Sequence, residues 1–134
     1  MSLSGNHCGV LIVFVAIGCA LGGVCRFLLG KWITRHFGEA FPWGTVVVNA
    51  VGSFLLGLLL GYGVAELSAG KHVHAFAAIG FCGGLTTFST FSLQALSMVS
   101  QQRWKSLALK VLGTLLLCML LILIGFEIGE RLVG

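Results

Sequence analysis

The sequence predicts an all-α integral membrane protein of four transmembrane helices, the third broken mid-membrane. Three observations predict it. Of 134 residues, 57% are hydrophobic and 9% charged, where soluble domains carry about a quarter charged residues, and the mean hydropathy is +1.05. Four apolar runs, each near the ~20 residues that cross a bilayer core, use the whole chain and leave a single membrane domain, 1–134. The third run alone carries a dense hydroxyl segment behind a Gly-Gly pair. The one proline and most of the 20 glycines sit within apolar stretches, which excludes disorder and collagen-like repeats.

The first span covers about residues 10–29, interrupted by Arg26. MSLSGNH before it has no Lys or Arg, and the apolar run exceeds the ~7–15 residues of a signal-peptide core, so this span is expected to be retained. Lys31 to Glu39 reads as a polar connector. The second span, about 44–64, is expected to hold Pro42 in its first turn, where the missing N–H is harmless, and Trp43 at interfacial depth; Asn49 is its conspicuous polar residue. A loop with Glu66, Lys71, His72 and His74 leads to the third span, about 75–99. That His-x-His pair lacks further ligands nearby and reads as a solvated loop. Gln101 to Lys105 then precede the fourth span, about 107–126, which Glu127, Glu130 and Arg131 close.

The net charge of +4 is scattered, with no run that would suit nucleic acid. Five cysteines without CxxC spacing read as apolar fillers. Lys31, Arg35, Arg103 and Lys105 fall on one side, Lys71 and Arg131 on the other. Counted strictly, that excess places the termini outside, yet so small a margin also admits both orientations. Dual insertion would make an antiparallel homodimer natural, because two opposed copies supply inverted repeats. Gly18/Gly22, Gly57/Gly61, Gly80/Gly84 and Gly125/Gly129 each put two small residues on one helix face, which predicts a tight bundle and an oligomer.

Six of the nine residues from Thr86 to Gln94 are Ser, Thr or Gln. That is too polar to face lipid. Gly83-Gly84 followed by hydroxyls predicts a helix that breaks near Gly83 to Thr87, glycine taking the terminating conformation and Ser or Thr capping the next helix. Unwound backbone at membrane depth must be buried in protein or line a cavity, and its carbonyls suit a cation. The alternative is a continuous helix whose hydroxyls bond back one turn. Phe88 and Phe91, three apart, share a face with hydroxyls interleaved, and ring edges directed into a pore could help solvate an anion.

Ser, Thr and the Asn49 amide donate hydrogen bonds while staying neutral, so they can replace the water of a small anion without trapping it. Glu39, Glu66, Glu127 and Glu130 all lie in loops or at span ends, and no His lies mid-span, which disfavours a proton-coupled transporter.

Pro42-Trp43-Gly44-Thr45 with Asn49 and Gly52, and the run from Gly80 to Ser92, resemble the Fluc (CrcB) family of fluoride channels over nearly the whole chain. The resemblance implies a fluoride-selective channel for passive efflux of cytoplasmic fluoride, with resistance to fluoride toxicity as its consequence and no enzyme activity. It further implies an antiparallel dual-topology homodimer with two pores in the cell membrane. Phe88 and Phe91 would line the fluoride path, Asn49 would donate to the ion, and a structural sodium ion would lie between subunits on the Gly83 and Thr86 backbone carbonyls. Arg26 matches a family arginine that could draw anions in, or else it snorkels. Thr114 matches a polar position of the pore track, and Ser89 and Thr90 are further pore hydroxyls. Lys110 could attract anions at the pore mouth, but snorkelling is the expected reading.

A small multidrug-type antiporter also has four spans, but an acidic residue in the first span would be expected and none is present. A pure assembly subunit would explain the glycine pairs and leave the Thr-Phe-Ser-Thr-Phe cluster without a purpose. The partners expected are therefore fluoride, a second copy of the chain and the lipid bilayer, without nucleic acid.

Overall fold

The computed structural model describes residues 3–65 and 70–134, and Glu66 lies outside them. Among the described residues every element is helical. They are α1 (Leu3–Phe37), α2 (Trp43–Ala65), α3 (Lys71–His74), a π-helical stretch (Ala75–Cys82), α4 (Gly83–Leu85), α5 (Ser89–Ser100) and α6 (Trp104–Val133). Four segments are long and apolar enough to cross a membrane: Gly5–Phe37, Trp43–Gly63, Lys71–Ser100 and Trp104–Val133.

α1 runs on through the stretch read from sequence as a polar connector, because nothing there breaks a helix. It ends at Gly38, whose φ of +81° is the left-handed conformation that glycine takes without a Cβ penalty. The Gly38 N–H donates to the Thr34 carbonyl at 2.9 Å, and Arg35 and His36 occupy the last turn, where a cation favours the helix dipole. Pro42 stands just outside α2 instead of in its first turn. Its carbonyl accepts the Val46 N–H at 3.4 Å, the part of an N-cap residue, and Trp43 packs 4.8 Å from Phe41 and 6.5 Å from Phe37 between ring centroids.

The glycine pairs interlock two helix pairs inside one chain. A Cβ on Gly57 or Gly61 of α2 would overlap the Ile122 or Phe126 carbonyl of α6, and one on Gly125 or Gly129 would overlap Phe54 or Leu58 of α2. Likewise Gly18 and Gly22 of α1 face Phe76 and Phe81, while Gly80 and Gly84 face Val15 and Cys19. Lipid tails are as apolar as leucine, so helices associate through such close packing and not by exclusion from water. All four pairs are thus spent within the chain, and an oligomer draws no support from them.

α2 is the most enclosed of the four membrane-length helices, whereas α1 and α6 leave most of their length exposed in the single chain. In α2, Thr45 and Ser53 are buried and Asn49 is half-buried. α5 and α6 join through a tight turn in which Gln102 takes φ +56°, and Arg103 Nη2 donates to the Ala40 carbonyl at 2.8 Å, tying this turn to the α1–α2 connection. His72 and His74 lie in a helical turn instead of a loop, with His72 exposed and stacked 5.4 Å from Phe14.

Candidate functional site

α2 places Asn49 opposite the junction of α4 and α5. Asn49 Oδ1 accepts the Thr87 N–H at 2.7 Å, and Asn49 Nδ2 donates to the Thr87 carbonyl at 3.1 Å. The side-chain amide thereby replaces the helical partners of Thr87. In a helix its N–H would bond the Gly83 carbonyl one turn back; engaged by Asn49, it leaves that carbonyl without this donor. Thr86 is extended, at φ −76° and ψ 151°. Gly83 itself keeps helical angles, φ −63° and ψ −39°, so the glycine pair does not supply a left-handed terminating conformation as expected from sequence. Gly84 is needed because it meets the backbone of Cys19.

Thr87 is the hub of the hydroxyl cluster. Its Oγ1 accepts the Thr90 N–H at 3.2 Å, which caps the start of α5, and lies 3.2 Å from Thr90 Oγ1 and 3.3 Å from Ser89 Oγ. The Phe88 carbonyl accepts the Ser92 N–H at 2.8 Å, so helical bonding resumes at once. Thr86 Oγ1 donates back to the Cys82 carbonyl at 3.0 Å. Arg26, half-buried on α1, directs Nη1 to the Thr86 carbonyl at 3.5 Å. It turns to this junction and not along the lipid face.

Beside these groups runs an open cleft of about 430 Å³ lined by Arg26, Thr45, Thr87, Thr90 and Gln94. Its lining joins the Thr87 and Thr90 hydroxyls and the Gln94 amide to two cations, Arg26 and Lys31. Phe88 and Phe91 stack with centroids 6.0 Å apart and planes 27° from parallel; Phe88 is 79% exposed in the single chain, whereas Phe91 is half-buried. Lys110 on α6 reaches under them. Its side chain is fully buried, Nζ donates to the Phe91 carbonyl at 2.9 Å and to Gln94 Oε1 at 3.1 Å, and it lies 4.8 Å from the Phe91 ring centroid. The snorkelling expected from sequence is therefore wrong, because two acceptors on α5 draw the ammonium inward. Thr114, one turn further along α6, is buried with its hydroxyl lacking a hydrogen-bond partner.

The family model described as "CrcB-like protein, Camphor Resistance (CrcB)" matches residues 13–126. The chain belongs to the CrcB family. Among curated relatives of this CrcB chain, one from Opitutus terrae is 41% identical over 117 residues, covering 86% of this chain and 89% of the relative. Another from Hahella chejuensis is 42% identical over 118 residues, covering 87% and 92%. A third, from Aquifex aeolicus, is 40% identical over 122 residues, covering 90% and 98%. All three are named "Fluoride-specific ion channel FluC". With four membrane-length helices, the CrcB chain is a multi-pass membrane protein.

The sequence-selected residues fall into two groups in this CrcB chain. Asn49, Thr86, Ser89, Thr90 and Arg26 converge on the α4–α5 junction, while Phe88 and Phe91 pack together next to Lys110; Thr114 is hydrogen-bonded to neither group. Sequence reasoning missed Thr87 as the hub, Gln94 as a cleft residue and Lys110 as a buried one. The signal for Thr87 was its place between the glycine pair and Phe88. For Lys110 it was an apolar helix with no acidic partner in reach.

Proposed function

We propose that the protein is a passive, fluoride-selective channel that lets fluoride leave the cytoplasm and so confers resistance to it. The observation that carries the reading is the membership of a family whose relatives bear the name fluoride-specific ion channel. The site chemistry supports it: hydroxyls and the Gln94 amide line a cleft in which Arg26 and Lys31 carry positive charge. Such donors replace part of the hydration of a small anion and release it again, as fast passage requires. Fluoride enters cells in acid surroundings as neutral HF, dissociates inside and is trapped as the anion. A channel then needs no energy source to return it down its electrochemical gradient.

In this reading the α4–α5 junction lies at mid-membrane depth, Asn49 offers the ion its second amide N–H, Phe88 and Phe91 turn ring edges to the path, and Ser89, Thr90 and Thr114 supply hydroxyls. Arg26 draws anions to the cleft. The working unit is an antiparallel, dual-topology homodimer in the cell membrane; exposed Phe88 and the open Gly83 face are surfaces a second copy would cover. The Gly83 carbonyl, deprived of the Thr87 donor, and the Thr86 carbonyl, in extended backbone, form a donor set of the kind that suits an alkali cation. Two carbonyls from one chain are too few to replace its hydration shell, and a sodium ion between subunits would take the other pair from the partner. Sodium there would fix the dimer and neutralise carbonyl dipoles that otherwise repel fluoride.

The test is efflux from liposomes loaded with fluoride or chloride, under a voltage clamp set by a potassium ionophore and read with ion-selective electrodes. Fast fluoride efflux with chloride retained is the expected result. Retention of both ions by well-folded protein would overturn the reading.

A further inference from the structure

Gln94 lies where two cavities meet. It lines the cleft beside Arg26 and Thr87, and also a second cavity of about 330 Å³ that reaches Glu39, Ala40 and Arg103 at the end of the bundle. An anion moving between the two would meet its side-chain amide. That amide can present a carbonyl, which repels an anion, or an NH2 group, which binds one.

Lys110 decides between the two faces. An ammonium donates and cannot accept, so its bond at 3.1 Å to Gln94 holds the amide oxygen toward α6 and turns the NH2 group the other way. The same Nζ occupies the Phe91 carbonyl at 2.9 Å. Among the described residues the one ion pair is Arg131 with Glu127, so no described carboxylate cancels the charge of Lys110. A buried ammonium of this kind is tolerated only when its donors are used.

We propose that Lys110 is a positioning residue for anion passage: it sets the Gln94 amide with its N–H donors toward the cavity junction and adds a fixed positive charge beside Phe91. The ligand is a small anion that sheds part of its hydration, and the inference rests on the fluoride-channel reading above. Charge focused by low-dielectric walls raises the local concentration of a counter-ion. Gln94 then supplies neutral donors at the point where that concentrated ion passes into the cleft.

The experiment measures fluoride efflux from liposomes against internal fluoride concentration for the wild type, Lys110→Met, Lys110→Arg, Gln94→Ala and the Lys110→Met/Gln94→Ala double variant. In parallel, the Gln94 side-chain amide resonance is followed in protein labelled with 15N-glutamine. Lys110→Met is expected to raise the fluoride concentration for half-maximal efflux by about tenfold and to move the Gln94 resonance; Lys110→Arg keeps both near wild type. Gln94→Ala weakens efflux in the wild type and adds nothing in the Met background, the non-additivity of residues that act as one unit. Additive losses, or an unmoved resonance in Lys110→Met, overturn the proposal. If Lys110→Met does not fold, a wild-type concentration dependence in Gln94→Ala overturns it equally. Absence of fluoride efflux from the wild type would sink the channel reading, and the resonance alone would then decide whether Lys110 sets Gln94.

Discussion

Asn49 and Thr87, 38 residues apart, are joined through both faces of one side-chain amide, which accepts the Thr87 N–H and donates to the Thr87 carbonyl. One side chain thus satisfies the backbone polarity of a residue that is helical on neither side. In lipid no water can do so, and an unmet backbone group is costly.

Asn49→Ala leaves the Thr87 N–H and carbonyl without these partners. The expected loss is about 2 kcal/mol of stability, read as a lower unfolding midpoint in detergent, with fluoride efflux falling alongside. Asn49→Asp keeps the acceptor for Thr87 and adds a negative charge, so it should unfold nearer to wild type while still losing efflux. An alanine variant as stable and as active as wild type would remove the amide from both roles.

Phe88→Ile changes a side chain that is 79% exposed in the single chain, and monomer folding should not respond. Efflux should fall well below wild type if the ring faces the ion. Unchanged efflux would take Phe88 out of the path.

Gly57→Val drives a side chain into the Ile122 carbonyl, where backbone and not a flexible side chain is met. A destabilisation of about 2–3 kcal/mol is expected. Gly23→Ala is the control, since a Cβ there meets nothing within 4 Å. Equal behaviour of the two variants would contradict the close packing of α2 on α6.

Gln102→Gly relieves a left-handed conformation, φ +56°, that costs a side-chain-bearing residue roughly 1 kcal/mol. The variant should melt higher than wild type by a corresponding amount. Glycine's greater freedom in the unfolded state sets the limit of the gain.

Replacing sodium by N-methylglucamine on both faces tests the proposed cation at the Gly83 and Thr86 carbonyls. Fluoride efflux should slow or stop and return when sodium is restored. Efflux indifferent to the swap would argue that those carbonyls are met within the protein, with Arg26 the available donor to Thr86.

Much of the architecture was legible because hydropathy acts locally. Runs of some twenty apolar residues have one stable form in lipid, the helix, since it alone satisfies every backbone group within the run. The hydroxyl cluster announced itself by polarity out of place, and so did Asn49. The extension of α1 to Phe37 is not legible from polarity, because a polar stretch reads as a loop even where no residue before Gly38 opposes a helix. Lys110 departs from expectation for a similar reason: a lysine in a span is expected to bend toward water, and only the α5 acceptors pull it inward.

The number of spans, their order and the residue types available to an anion can be read along the chain. Helix packing sets which helix each glycine pair meets, that Thr87 and not glycine conformation organises the α4–α5 junction, and where the Lys110 charge sits. Spans follow from the transfer of each segment into lipid, a property of neighbours in the chain. The site follows from hydrogen bonds between residues 16 and 38 positions apart, and those distances exist only once the helices have packed.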